Sequence, residues 1–209
     1  MGRSIIAVVD GSPDGTRAAS IARRYARVLD RRLVLAFVAQ DPHVFPYGNP
    51  RRLELARRRA IADGAAVLRT VTGELDLTDV RHRIALAGNT YGAPADRLAG
   101  LAIEEDADLV VTSASSTTES LAEIGPCPVV VVPSTTAPAA PVRHGVGVFS
   151  GDAGDERAQL VAGELARALA VPLFPLYDDK PAEVPVVVVP PGARLPDLAR
   201  PRAALADVA

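Results

Sequence analysis

Several residue types are scarce in this chain, and each scarcity excludes a class of protein. The chain has no tryptophan and only 4% aromatic residues. It therefore has little material for the stacked aromatic surface that binds single-stranded nucleic acid. A net charge of −2 also provides no surplus of cations for a phosphate backbone. We expect no nucleic-acid partner.

Cysteine and histidine are too few to indicate a disulfide or a metal site. The single cysteine, Cys127, excludes an internal disulfide and suits a reducing compartment, so we expect a cytoplasmic protein. The three histidines, His43, His82 and His144, are scattered and show no metal-ligand spacing. The apolar run from residue 4 to 9 has the length of a strand, not of a membrane span, and we expect no membrane partner.

What the chain does have is an internal repeat. The run from Pro128 to Pro133 occurs again, residue for residue, from Pro185 to Pro190. A second match lies upstream, and there the matched residues are separated by more of the chain than the two valine runs are. The second copy therefore has the same beginning and end as the first, with a much shorter segment between them. The matched residues there are Arg17, Ala18, Ala22, Ala26, Arg27 and Leu29 in one copy and Arg157, Ala158, Ala162, Ala166, Arg167 and Leu169 in the other. The repeat predicts a complete lobe followed by an abbreviated copy of it.

Strand and helix patterns alternate through the first lobe. Apolar β-branched runs predict strands over residues 5–9, 33–38, 80–86, 109–111 and 129–132, and helical periodicity predicts helices over 14–29, 50–71 and 93–105. This alternation indicates an α/β fold with a doubly wound, mainly parallel five-stranded sheet. We divide the chain into a domain over residues 1–134, a linker rich in Thr, Ala and Pro over 135–141, and a shortened lobe over 142–209.

The second lobe is too small to stand alone, so we expect it to pack on the first. Its pattern supplies strands over 145–149 and 173–177, a helix over 155–169 and the second valine run. An exposed edge rich in valine is an aggregation hazard unless another strand pairs with it. The run Val129 to Val132 could pair with Val186 to Val189 inside one chain, as a pseudo-dimer. A homodimer or another protein partner stays open.

Three blocks of the first lobe resemble the universal stress protein family. They are Ile6-Ala7-Val8-Val9-Asp10-Gly11-Ser12 with the following Ala/Arg helix, the segment 88–111 ending in Ala107-Asp108-Leu109-Val110-Val111, and Cys127-Pro128 with the valine run. The blocks occur in the family's order and cover most of residues 3–134. The resemblance implies the sheet order 3-2-1-4-5 and dimerisation through the fifth strand. The second lobe is similar to the family in outline only.

The resemblance also implies a candidate adenosine site. Many members of the family bind ATP and many do not. In those that bind it, an Asp after the first strand and a Val after the second contact the adenosine, and these positions are Asp10 and Val38 here. Together with Gly11 and Ser12 they form a tentative adenosine half-site. The structural alternative is that Asp10-Gly11-Ser12 simply ends a strand, makes a tight turn and caps a helix.

The phosphate half of that site departs from the family's pattern. ATP-binding members have G-x2-G-x9-G-[ST] after the fourth strand, where glycines let backbone N–H groups surround the anion. This chain has no glycine between Leu101 and Ile124, and the stretch 112–120 is rich in Ser and Thr instead. Ser116 to Glu119 reads as a capping box. The alternative is that Ser113, Ser115 and Ser116 still contact a small anion.

No motif indicates an enzyme. The chain has no G-x-S-x-G nucleophile elbow and no Walker-type loop. The runs Arg51-Arg52 and Arg57-Arg58-Arg59 most simply form a solvated helix face, the alternative being a contact with a partner or an anionic ligand.

Three hypotheses follow. The first is a non-enzymatic regulatory protein with a degenerate nucleotide site that does not bind ATP tightly and needs no cofactor. The second is a protein that binds AMP or ATP through the adenosine half-site. The third is a nucleotide hydrolase.

Overall fold

The computed structural model describes residues 3–42, 49–88, 93–113, 116–132, 146–149, 156–170, 172–176 and 187–189. Eight strands lie in one sheet: β1 (Ser4–Val8), β2 (Arg32–Gln40), β3 (Arg81–Ala87), β4 (Ala107–Ser113), β5 (Val129–Val132), β6 (Val146–Phe149), β7 (Leu173–Leu176) and β8 (Val187–Val189). The described residues also form five helices: α1 (Pro13–Val28), α2 (Pro50–Glu74), α3 (Ala93–Glu104), α4 (Ser116–Ile124) and α5 (Glu156–Leu169).

The first five strands confirm the expected fold. They are all parallel and stand in the order β3-β2-β1-β4-β5. The strands β1, β4 and β5 are short, apolar and buried on both faces, as their continuous Val/Ile/Leu character requires, whereas β3 at the edge of the sheet is mostly exposed or half-buried. The chain runs outward from β1 to β3 on one side and from β4 to β5 on the other. The order therefore reverses between β1 and β4, and a crevice at the carboxyl ends of these strands is where α/β sheets bind ligands.

The helices cover the two faces of the sheet in separate groups. On one face, α1, α2 and α5 share a core with alternate residues of the strands, among them Ile5, Leu35 and Val130. On the other face, α3 and α4 pack on Ile6, Val34 and their neighbours. The carboxyl-edge crevice lies between the connection from β1 to α1 and the connection from β4 to α4.

The second lobe continues the same sheet. Strand β6 pairs in parallel with β7 and with β8, and β8 pairs antiparallel with β5. The register joins Val129 to Val189, Val130 to Val188 and Val131 to Val187. The two valine runs therefore lie side by side, and β5 is an interior strand.

Helix α5 packs into the core of the first lobe. Its buried residues Ala158, Ala162 and Leu165 belong to the same hydrophobic cluster as Ala18 and Ala22 of α1. Small side chains on both helices allow this close packing. The predicted linker over 135–141 and the tail after residue 189 lie outside the described residues, as does Val186.

Candidate functional site

The strand register brings the predicted adenosine residues to one edge. Val8 stands opposite Ala36, so Asp10, two residues past the end of β1, lies level with Val38. Val38 is not after β2, as expected, but inside it, two residues before its end at Gln40. On the other side of β1, Ala7 stands opposite Val111, which places Ser113 at the end of β4. Asp10, Val38 and Ser113 thus lie at the edge where the strand order reverses.

Asp10 organises the turn that opens α1. Its Oδ1 accepts hydrogen bonds from the Ser12 backbone N–H at 2.9 Å and from the Ser12 hydroxyl at 2.6 Å. The Ser12 Oγ in turn accepts from the Gly15 N–H at 3.0 Å, so Ser12 is the N-cap residue of α1. Asp10-Gly11-Ser12 therefore does end the strand, make a turn and cap α1, as the structural alternative predicted. Asp10 is nevertheless exposed, and within the described part of the chain its Oδ2 accepts no hydrogen bond.

Two glycines make room for this turn. Gly11 has φ +85°, a conformation that glycine adopts at little cost, and its side faces Val67 of α2. A Cβ at Gly15 would lie 2.5 Å from the Asp10 Oδ1, which is inside van der Waals contact. Gly15 thus allows the carboxylate to approach the first turn of α1. Sequence reading identified Gly11 but missed Gly15, because a glycine inside a helix gives no local signal of what packs against it.

A hydrogen bond from the side chain of Thr118 ties α4 to the end of β4. The hydroxyl of Thr118, which is 1% exposed, donates to the Ser113 carbonyl at 2.7 Å. Helix α4 begins at Ser116, so this residue is the first residue of the helix and not the N-cap that the capping box expects. Of the predicted anion contacts, Ser113 lies at the end of β4, the Ser116 side chain is outside the described structure, and so is Ser115.

A second polar cluster, which the sequence did not reveal, lies at the opposite edge of the sheet. The Glu105 side chain is only 1% exposed and faces three arginines: Arg32 Nη2 and Arg81 Nη1 lie 3.5 and 3.1 Å from its Oε2, and Arg83 Nε lies 2.7 Å from its Oε1. The Arg83 approach is close without the alignment of a hydrogen bond. This cluster joins the end of α3 to β2 and β3, far from the crevice.

Neither metal-binding nor membrane-spanning features appear in the regions that the structure describes. No group of three or more His, Cys, Asp or Glu there could hold a metal ion. None of the helices there combines the length and apolar character of a bilayer span. His82 lies on the surface, where its Nε2 is 2.8 Å from the Thr72 Oγ1.

Comparisons with known proteins agree with this architecture. The model of the universal stress protein family matches residues 1–133. The universal stress protein UspA of Lactobacillus plantarum matches with TM-score 0.53 and 20% identity over 62% of this chain and 96% of that one. A universal stress protein of Archaeoglobus fulgidus DSM 4304 matches with TM-score 0.57 and 11% identity over 82% and 64%. One solved in complex with cAMP matches with TM-score 0.48 and 19% identity over 63% and 97%. No curated protein sequence matches the chain.

Proposed function

Because the chain belongs to the universal stress protein family, we propose that it is a non-enzymatic regulatory binding protein of that kind. Its carboxyl-edge crevice retains a weak half-site for adenosine, and it does not bind ATP tightly. The strand register carries this proposal, because it sets Asp10 beside Val38 where the strand order reverses.

The second carboxylate oxygen of Asp10 supports the adenosine half-site. Ser12 occupies Oδ1 and fixes the carboxylate, so Oδ2 is oriented and available for a ribose hydroxyl or a base amino group. Val38 is half-buried at the same level and offers an apolar contact for the purine. A fixed acceptor beside an apolar surface is the usual composition of a small-ligand site.

The β4–α4 connection argues against tight ATP binding. Phosphate cradles of this kind depend on glycine backbone N–H groups that can point at the anion. There is no glycine from residue 102 to 124, and the Thr118 hydroxyl is engaged with the Ser113 carbonyl. The phosphates of ATP would therefore find few donors on this side of the crevice.

The hydrolase hypothesis has less support. Asp10 and Ser12 lie within hydrogen-bonding distance, as a base and a nucleophile would. However, the Ser12 oxygen also accepts from the Gly15 N–H at the start of α1, which ties it to the helix cap. We therefore propose that this pair has a structural role and a ligand-binding role, without catalysis.

Calorimetry with adenosine, AMP and ATP tests the proposal. We expect weak binding of adenosine, ATP binding weaker than micromolar, and loss of adenosine binding in Asp10→Ala. Asp10→Asn keeps an acceptor for Ser12 and separates loss of charge from loss of the turn, while Asp30→Asn at the opposite edge is a matched control. Micromolar ATP affinity that Asp10→Ala abolishes would contradict the proposal, and so would a complete lack of adenosine binding. Hydrolysis of ATP that the same substitution abolishes would establish the enzyme instead.

A further inference from the structure

In the described structure the sheet has two free edges, β3 and β7. A free edge presents unpaired backbone N–H and C=O groups, and proteins commonly protect such edges with short strands or with proline. Strand β7 has both features, because it is four residues long and contains Pro175, which has no N–H to donate. Strand β3 has neither, since it runs over seven residues and stays in register with β2 throughout. The edge at β3 is therefore the one that is open to another strand.

Two hydrogen bonds show which backbone groups of β3 face outward. The N–H of Asp41, just past the end of β2, donates to the Ala87 carbonyl at 2.7 Å, so this carbonyl faces β2. The Leu86 carbonyl instead accepts from the Arg97 Nε of α3 at 2.8 Å. The N–H and C=O of one residue point to the same side of a strand, and that side alternates along it. Every second residue of β3 therefore turns both groups to the free edge, namely His82, Ile84 and Leu86.

The middle of β3 is apolar and incompletely covered. Ile84, Ala85 and Leu86 are half-buried, and Ile84 packs against the core shared by α1, α2 and α5. Helices α2 and α3 both pack on the strand, yet these three residues stay accessible. Apolar residues that remain accessible along a free edge favour pairing with a further strand.

The cations at the start of β3 have carboxylates beside them. Arg81 Nη1 lies 3.1 Å from the Glu105 Oε2, and the Arg83 guanidinium lies 2.7 Å from both Glu104 and Glu105. An approaching strand therefore meets ion pairs and not bare positive charge. This reduces the repulsion by which charged residues usually keep an edge free.

The order of residues in β3 is self-complementary. Ile84 is the middle residue of the strand, and it is one of those that turn their backbone groups outward. In an antiparallel pair centred there, Ile84 meets Ile84 of a second copy and each arginine meets an alanine. The other pairs are His82 with Leu86, Arg83 with Ala85, and Arg81 with Ala87. Like charges placed directly opposite would destabilise such a pair, and this register avoids them.

We propose that two copies of this chain pair antiparallel through β3 and form a twofold-symmetric dimer with one continuous sheet. About six backbone hydrogen bonds join the two edges, from the outward groups of each strand. The contact is isologous, so it closes at two copies and does not extend into a fibre. A carbonyl oxygen has two lone pairs, so Leu86 accepts from the second copy while Arg97 keeps its contact. The inference is independent of the proposed ligand.

Charge substitutions at position 84 test this pairing, because that position faces itself across the twofold axis. Sedimentation velocity on the full chain, over a series of concentrations, compares the wild type, Ile84→Lys, Ile84→Glu and an equimolar mixture of the two variants. We expect the wild type to dimerise and each variant alone to dimerise about tenfold more weakly or worse, since like charges then meet. The mixture should form a heterodimer, because opposite charges meet there.

Two further variants separate the interface from general effects on the fold. Ala85→Arg places a cation opposite Arg83 of the second copy and should also weaken the dimer about tenfold or more. Leu160→Lys adds the same charge to α5, where Leu160 is 62% exposed, and should dimerise like the wild type. Circular dichroism verifies the fold of each variant.

Three results would overturn the inference. A wild type that stays monomeric over the whole series would leave β3 as an edge for an extended segment of another protein. Ile84→Lys or Ala85→Arg dimers as tight as the wild type would show that the chain dimerises through another surface. A mixture that fails to associate, beside a dimeric wild type, would exclude the register centred on Ile84.

Discussion

At the residue scale, burial of a polar group has measurable consequences for stability. Tyr25 of α1 is 2% exposed and belongs to the core shared by α1, α2 and α5. Burial raises the pKa of the Tyr25 phenol well above its ordinary value, and the nearby Arg24 charge lowers it by less. The folded protein therefore keeps this proton at a pH at which the unfolded chain, with an ordinary tyrosine pKa of about 10, releases it.

This difference predicts a loss of stability in alkali. The unfolded state binds fewer protons than the folded state above about pH 10, so the free energy of unfolding should fall as pH rises further. Tyr25→Phe removes the ionisable group and should flatten this fall, while changing stability by about 1 kcal/mol at pH 7. Urea midpoints at pH 7, 9 and 11 for both proteins measure the effect. Parallel curves for the two proteins would contradict the assignment to Tyr25.

At the element scale, the buried Glu105 carboxylate ties the end of α3 to the starts of β2 and β3. Its side chain is 1% exposed, whereas the side chains of Arg81 and Arg83 are 48% and 32% exposed. The cost of breaking the cluster is therefore asymmetric. Freed arginines can turn to water, but a carboxylate without its arginines stays buried and uncompensated.

The variant Arg81→Ala/Arg83→Ala should cost about 3 kcal/mol of unfolding free energy, the low end for a broken buried pair, because Arg32 remains. Adding Glu105→Gln removes the stranded charge and should restore part of that loss. Arg83 also pairs with the exposed Glu104, so Glu104→Ala serves as the control and should cost less than about 1 kcal/mol. Denaturant unfolding measures all three variants. A triple variant no more stable than the double one would show that the loss comes from something other than the carboxylate.

At the scale of the whole molecule, the second lobe has the outline of the first with its middle removed. Each lobe begins with a parallel strand–helix–strand unit, β1-α1-β2 and β6-α5-β7. In the first lobe β4 separates β1 from β5, while in the second β6 pairs directly with β8. Among the described residues the second lobe has no counterpart of α2, β3, α3, β4 and α4, and omission of such a segment would account for this contact. We infer that the second lobe is a shortened copy that covers the β5 edge as a pseudo-dimer partner.

Removal of the second lobe should leave β5 as an exposed edge strand that is prone to aggregate. Residues Val129 to Val132 are all buried, and β8 occupies the side of β5 that faces away from β4. A protein that ends at residue 138 should therefore self-associate or precipitate, because β5 would present unpaired backbone groups and apolar side chains. Size-exclusion chromatography with light scattering compares it with the full chain at equal concentration. A monodisperse monomer of the shorter protein would contradict the inference.

Much of the fold could be predicted from local pattern. The runs around Ile6, Leu35 and Val110 have the continuous apolar character of strands buried on both faces, and each is a strand within a few residues of its predicted ends. Helix α2 is longer than predicted, ending at Glu74 rather than near residue 71. The residues just after Glu74 include no glycine or proline at which the pattern would indicate an end.

Less of the candidate site could be predicted from the sequence. Asp10 and Val38 could be named from the resemblance, but the acceptor role of Oδ1 toward Ser12 depends on backbone geometry at Gly11 and on the space that Gly15 leaves. The arginines of α2 were visible as a charged run. The place of this helix was not, because it is set by the packing of Gly64 on Phe37 of β2 and of Val67 on Gly11 after β1.

The sequence by itself determined the element order, the parallel sheet and the two matching valine runs, because these follow from local periodicity and from repetition along the chain. Only the tertiary structure decided which groups meet across long separations. It placed three arginines around Glu105, set α5 against α1, and paired Arg57 of α2 with Asp41 after β2. Charge and packing partners of this kind depend on distance in space, which the spacing along a chain does not contain.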